Sequence, residues 1–161
     1  MYEIGRIRQA GVTLVEIMVT VVVLGVLAAI AIPGFDAYSS TSARRAAVSD
    51  FLSAAGLARS MAIQRGQDVT LCPRNGNQCS AAADWSNGWL MVTGGQVMRS
   101  WGETPSGVQQ MSADSGGAIT WSSTGMVSAA RNIELIMIDG AQRCIRITTL
   151  GRVSTETGAC P

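Results

Sequence analysis

The residues able to do chemistry are few and unevenly placed. Glu16 is a lone carboxylate inside an apolar run that follows Gly11. The thiols are Cys72, Cys79, Cys144 and Cys160, and Arg143, Arg146 and Arg152 gather positive charge near the C-terminus. All 12 basic residues are Arg, and His is absent, which removes the commonest general base and a common zinc ligand. Without His, a nucleophilic Ser or Cys would need an unusual base. There is no Gly-rich phosphate loop and no Cys-x-x-Cys pair, and Asp and Glu are scattered singly. The pattern therefore implies no catalytic residues, no metal site and no cofactor. The net charge of +1 comes without a polybasic block, so the overall balance gives no strong pull toward nucleic acid.

The element that must position Glu16 is the segment "GVTLVEIMVTVVVLGVLAAIAIP", Gly11 to Pro33. Apart from Glu16, only Thr13, Thr20 and Gly25 interrupt its aliphatic run before Pro33. Val12 to Ile32 is 21 residues (32 − 12 + 1), about 32 Å as a helix at roughly 1.5 Å per residue, which matches the hydrocarbon core of a bilayer. Arg6 and Arg8 precede it, so the positive-inside tendency sets the N-terminus in the cytoplasm and the bulk of the chain across the membrane. An oxidising compartment then turns the four cysteines into two disulfides. Three connectivities are open; sequence-local pairing, Cys72 with Cys79 and Cys144 with Cys160, is the simplest. A removable secretory signal could be read from the small-x-small Ala29-Ile30-Ala31, but Glu16 and the helical pattern continuing beyond it argue against that reading.

Gly11, then Val12-Thr13-Leu14-Val15-Glu16, then Pro33, resembles the class III signal of type IV pilins and type II secretion pseudopilins. In that family a short basic leader ends in Gly, the mature chain opens with Phe-Thr-Leu-Ile-Glu or a close variant, and a proline closes the first membrane-spanning segment. The resemblance implies cleavage by prepilin peptidase between Gly11 and Val12, N-methylation of Val12, a helix kink at Pro33 and an assembly role for Glu16. Val12 stands where the family usually has Phe. A lone carboxylate in hydrocarbon costs some kcal/mol and persists where it finds a partner or a function. The partner implied here is the α-amino group of Val12 on an adjacent subunit, which exists only after cleavage. Snorkelling of Glu16 to the headgroups is the competing account.

Beyond Pro33 the apolar residues Val48, Phe51, Leu52, Ala55, Ala58, Met61 and Ala62 recur at spacings of three and four, one stripe of an amphipathic helix. Arg44, Arg45, Asp50, Arg59 and Arg65 fall mostly off it and read as solvated, and Gly66 is a helix stop. From Asp68 the chain reads as short strands: 69–72, 88–93, 96–101, 119–121, 133–138 and 143–148, with a last one after Gly151. Gly94-Gly95 and Asp139-Gly140 mark hairpins, and 104–117 is a loop with at most one short strand. A helix followed by antiparallel strands is α+β. The expected organisation is a leader over 1–11, a transmembrane helix over 12–34, its soluble continuation over 35–65 and a β-rich periplasmic domain over 66–161.

"VTLCP" (Val69 to Pro73), Cys79, "DWSNGW" (Asp84 to Trp89) and "LGRV" (Leu150 to Val153) resemble the GspH/FimT family of minor pilins and pseudopilins. Its fold is type IV pilin-like, a long N-terminal helix packed on an antiparallel β domain. Trp85 and Trp89 read as packing anchors. The implied function is structural: a subunit of an inner-membrane-anchored filament, in type IV pilus assembly or type II protein secretion. Its partners are other pilins or pseudopilins, joined through the N-terminal helix, together with prepilin peptidase and the inner membrane. An alternative comes from relatives in competence systems, which bind DNA through a Gly-Arg-x-Arg loop. Gly151-Arg152-Val153-Ser154 keeps only the first arginine, and Arg143 and Arg146 would add phosphate contacts. Glu156 opposes them, so DNA is the less favoured partner.

Overall fold

The computed structural model describes residues 12–161, the side chains of residues 31–40 excepted. One helix, α1, runs over Leu14–Arg65, and nine strands follow: β1 (Val69–Asn75), β2 (Gln78–Cys79), β3 (Trp89–Thr93), β4 (Gln96–Ser100), β5 (Val108–Ala113), β6 (Ile119–Trp121), β7 (Arg131–Met137), β8 (Gln142–Ile147) and β9 (Val153–Thr157). The chain divides into two compact units at Tyr38/Ser39, so α1 contributes to both.

In the first unit, no large apolar residue from Val12 to Ile30 is less than 50% exposed. Consecutive positions cover every side of a helix, so this is a helix apolar all round rather than an amphipathic one. Among the described residues no helix is long and apolar enough to cross a membrane. The described apolar stretch, Leu14–Ile30, is 17 residues (30 − 14 + 1), short of the roughly 20 that a span needs. Pro33 lies within the bounds of α1 but among the residues whose side chains are not described.

The second unit is built differently. Ala47, Phe51, Ala54, Ala55, Ala58 and Ala62 are fully buried, a stripe at the three- and four-residue spacing of one helix face. Alanine leaves little between the helix backbone and what it covers, and Phe51 supplies the bulk. Its ring meets Trp85 edge-on at 5.4 Å and Trp89 at 5.6 Å, within the range favoured for aromatic pairs. The helix face shares a single apolar cluster with residues of two antiparallel sheets, among them Leu71, Met91 and Trp121 of one and Ile133, Leu135 and Ile145 of the other.

The first sheet has the order β2-β1-β3-β4, with β6 also pairing β1; the second has the order β5-β7-β8-β9. β5 lies within the segment read from sequence as mostly loop, and β4 stops at Ser100 rather than Trp101. Trp101 leaves the strand to stack on Trp89 at 6.3 Å, with the Arg99 guanidinium 5.0 Å from its ring centre. The Trp-x-x-Gly-Trp spacing has a backbone cause. Gly88 donates its N–H to the Trp85 carbonyl at 3.1 Å and has φ +90°. A Cβ there would collide with the carbonyl oxygens of Trp101 and Gly102. Only glycine both turns the chain and lets the two tryptophans enter the core four residues apart.

Candidate functional site

The chemically distinctive side chains fall in three groups: the start of α1, the four cysteines and the C-terminal arginines. Gly11 lies outside the described residues, while Val12 is the first described one and is exposed. Helix begins at Leu14, which makes Thr13 its cap. The Thr13 Oγ1 accepts a hydrogen bond from the backbone N–H of Glu16 at 3.3 Å, and the Thr13 carbonyl accepts one from Ile17 at 3.3 Å. Glu16 is thus the third helical residue, the acidic position of a Thr-x-x-Glu capping box. A carboxylate in the first turn faces the positive end of the helix dipole, worth about 0.3–1 kcal/mol at an exposed position.

Reading Glu16 only as a charge in an apolar run misses Thr13. The signal that finds it is the Thr-to-Glu spacing of three immediately before the aliphatic residues. The arrangement puts a carboxylate and a capped helix end within a few residues of Val12, on a segment whose large apolar side chains are exposed.

Cys72 is bonded to Cys79, across seven residues, and Cys144 to Cys160, across 16. The first bridge closes the β1–β2 hairpin, whose register pairs Arg74 with Cys79. The second ties the end of the chain to β8. Among the described residues no cysteine is free.

The three C-terminal arginines do not form one patch. In the β8–β9 register Arg143 pairs with Thr157, Ile145 with Thr155 and Ile147 with Val153, while Arg146 pairs with Ser154. Because strand side chains alternate, Arg143 shares the core-facing side with buried Ile145 and Ile147, and Arg146 projects from the other side. There Arg146 meets Glu156 at 3.4 Å, an exposed pair. Arg152 sits in the connecting turn and is exposed.

The turn explains its own motif. The Gly151 N–H donates to the Thr148 carbonyl at 2.8 Å, and the Arg152 carbonyl accepts from the Thr148 N–H at 2.9 Å. Gly151 has φ +73°, and a Cβ on it would collide with the Gly125 carbonyl. Its own carbonyl accepts the Trp121 indole N–H at 3.4 Å. The glycine of Leu-Gly-Arg-Val therefore joins the second sheet to the β6 region by close backbone approach.

Residues 47–151 match the family described as Type II transport protein GspH, and residues 6–32 match the prokaryotic N-terminal methylation motif. No curated protein matches the chain. The fold is similar to that of the type IV minor pilin FimU of Pseudomonas aeruginosa (strain PAO1) in two crystal forms. One gives a TM-score of 0.60 at 15% identity, covering 74% of this chain and 92% of FimU. The other gives 0.56 at 16% identity, covering 70% and 91%. At these identities the likeness is one of fold: a helix packed on antiparallel sheets.

Proposed function

For a chain that belongs to the GspH family and carries the N-terminal methylation motif, we propose the role of a minor pilin or pseudopilin. In this reading the protein is a structural subunit, not an enzyme. Prepilin peptidase removes residues 1–11, Val12 becomes the methylated N-terminus, and the apolar half of α1 anchors the chain in the inner membrane before joining a filament. The basic leader with Arg6 and Arg8 supports a cytoplasmic N-terminus, and two disulfides support a periplasmic C-terminal domain.

The observation that carries the reading is the state of residues 12–30. A helix that exposes apolar side chains on every side is not at rest in water, so it needs lipid first and other helices afterwards. Glu16 at its third position supplies a charge that the Val12 amine of an adjacent subunit can neutralise. Cleavage would create that amine, which links processing to assembly. Intact mass of the protein extracted from membranes tests this. The expected chain has 150 residues (161 − 11) and an N-methyl group on Val12. A mature chain beginning at Ile32 would mean a secreted protein with a removable signal, and would overturn the proposal.

A further inference from the structure

Arg143 turns away from Arg146 and toward the helix. It lines a cavity of about 280 Å³ together with Arg44 and Arg45 of α1, over an aliphatic wall of Val48 and Leu52. Ser49 and Thr155 add hydroxyl groups to the rim. Two elements far apart in sequence thus bring three arginines to one recess. Each of the three side chains carries a planar fork of N–H donors suited to a carboxylate. Among the described residues no carboxylate belongs to the lining. Glu156 instead pairs with Arg146, on the other side of the second sheet.

We propose that this recess is a receptor for a single carboxylate side chain, an Asp or Glu presented by a neighbouring subunit of the filament. The inference rests on the filament-subunit reading above. The chemistry selects the occupant. Guanidinium groups bind carboxylates through paired, charge-assisted hydrogen bonds, the hydroxyls can donate to a remaining lone pair, and Val48 and Leu52 match the methylene stem that carries the acid. A DNA duplex offers a strip of phosphates along a convex backbone, for which one recess with an aliphatic wall is the wrong shape. The pocket also gives Arg44 and Arg45 a use other than solvation: they complete a cationic site that β8 only begins.

The test uses the full chain, expressed in its native cells with its filament partners. A benzophenone-bearing residue replaces Thr155 in one variant and Ser49 in another, so that a fold disturbed at one position is controlled by the other. After irradiation, the expected product is a cross-link to another pilin, mapping to a peptide with an Asp or Glu at or beside the linked residue. Arg143→Glu and Arg45→Glu should each reduce that product at least tenfold, and replacing the mapped acid by Arg in the partner should restore it. A cross-link to phospholipid, one that survives charge reversal, or none from chains present in filaments would overturn the pocket's assignment while leaving the filament reading intact. Absence of the wild-type chain from filaments would overturn both.

Discussion

The two halves of α1 have similar appetites and opposite fates. Residues 14–30 are almost wholly apolar and exposed on every side, while residues 47–62 bury one stripe of mostly alanines and leave charged residues outside. A helix segment with no polar face cannot be satisfied by one layer of its own chain, because such a layer covers only one side. A segment with a narrow small-residue stripe can be, and Phe51 between Trp85 and Trp89 locks it. The contrast teaches that hydrophobicity alone does not say where a helix is buried; the angular width of its apolar surface does.

The sharpest way to break this contrast is to truncate one large side chain in each half. Phe51→Ala should cost about 3–5 kcal/mol, enough to unfold much of the β domain, whose total stability is on the order of 5–15 kcal/mol. Leu24→Ala should leave the domain's melting temperature unchanged. Thermal denaturation of detergent-solubilised protein, followed by tryptophan fluorescence, reads both. Equal losses would mean that the domain leans on the exposed half.

Glu16→Ala works from the other side of the comparison. Domain stability should not move, and insertion should be no worse because a charge has left the apolar run. Incorporation into sheared filaments should fall severalfold or more. A wild-type level of the variant in filaments would remove Glu16 from assembly and leave only its place in the capping box.

The disulfides come next. By loop entropy, replacing Cys144 and Cys160 with Ser should cost about 3 kcal/mol and replacing Cys72 and Cys79 about 2.5 kcal/mol. Both losses should appear in denaturant midpoints of the domain and not in membrane extraction. A reversed order would show that β1–β2 closure matters more than tethering the C-terminus to β8.

Gly151→Ala is a smaller but more local probe. A residue with a side chain must hold φ near +73° and push against the Gly125 carbonyl, at about 1–3 kcal/mol for strain of this kind. Gly140→Ala has a similar φ of +78° but open space around it, so its loss should lie at the lower end of that range, about 1 kcal/mol. The difference between their midpoints measures the close approach alone.

The smallest effect belongs to Arg152. Arg146 is already paired with Glu156, and Arg143 lies on the other side of the sheet. Arg152→Ala should therefore leave stability within about 0.5 kcal/mol and leave duplex DNA binding undetectable at physiological salt, as in the wild type. A salt-sensitive micromolar shift by the wild type, lost in Arg152→Ala, would make the protein a DNA receptor despite this geometry.

The chain's own pattern determined a good deal. Apolar spacing in 48–62 marks the buried helix face, because a 3.6-residue period leaves little choice of which side turns inward. The paired glycines and Asp-Gly fix hairpins through local φ requirements. The Gly11–Glu16–Pro33 spacing carries the family resemblance without any structure. What sequence could not settle was non-local. Arg143 and Arg146 look like neighbours in a string, but strand alternation puts them on opposite faces once the register with β9 is set. Arg44 and Arg45 read as solvated, and Arg45 is exposed, but the fold also sets both along one recess with Arg143. Gly88 and Gly151 look like ordinary turn glycines, yet each also lies so close to a backbone carbonyl from another segment that a Cβ would collide with it. Local dihedral preferences and periodicity are written residue by residue. Close approaches between segments more than a dozen residues apart exist only after strands have paired and packed, and only tertiary structure decides them.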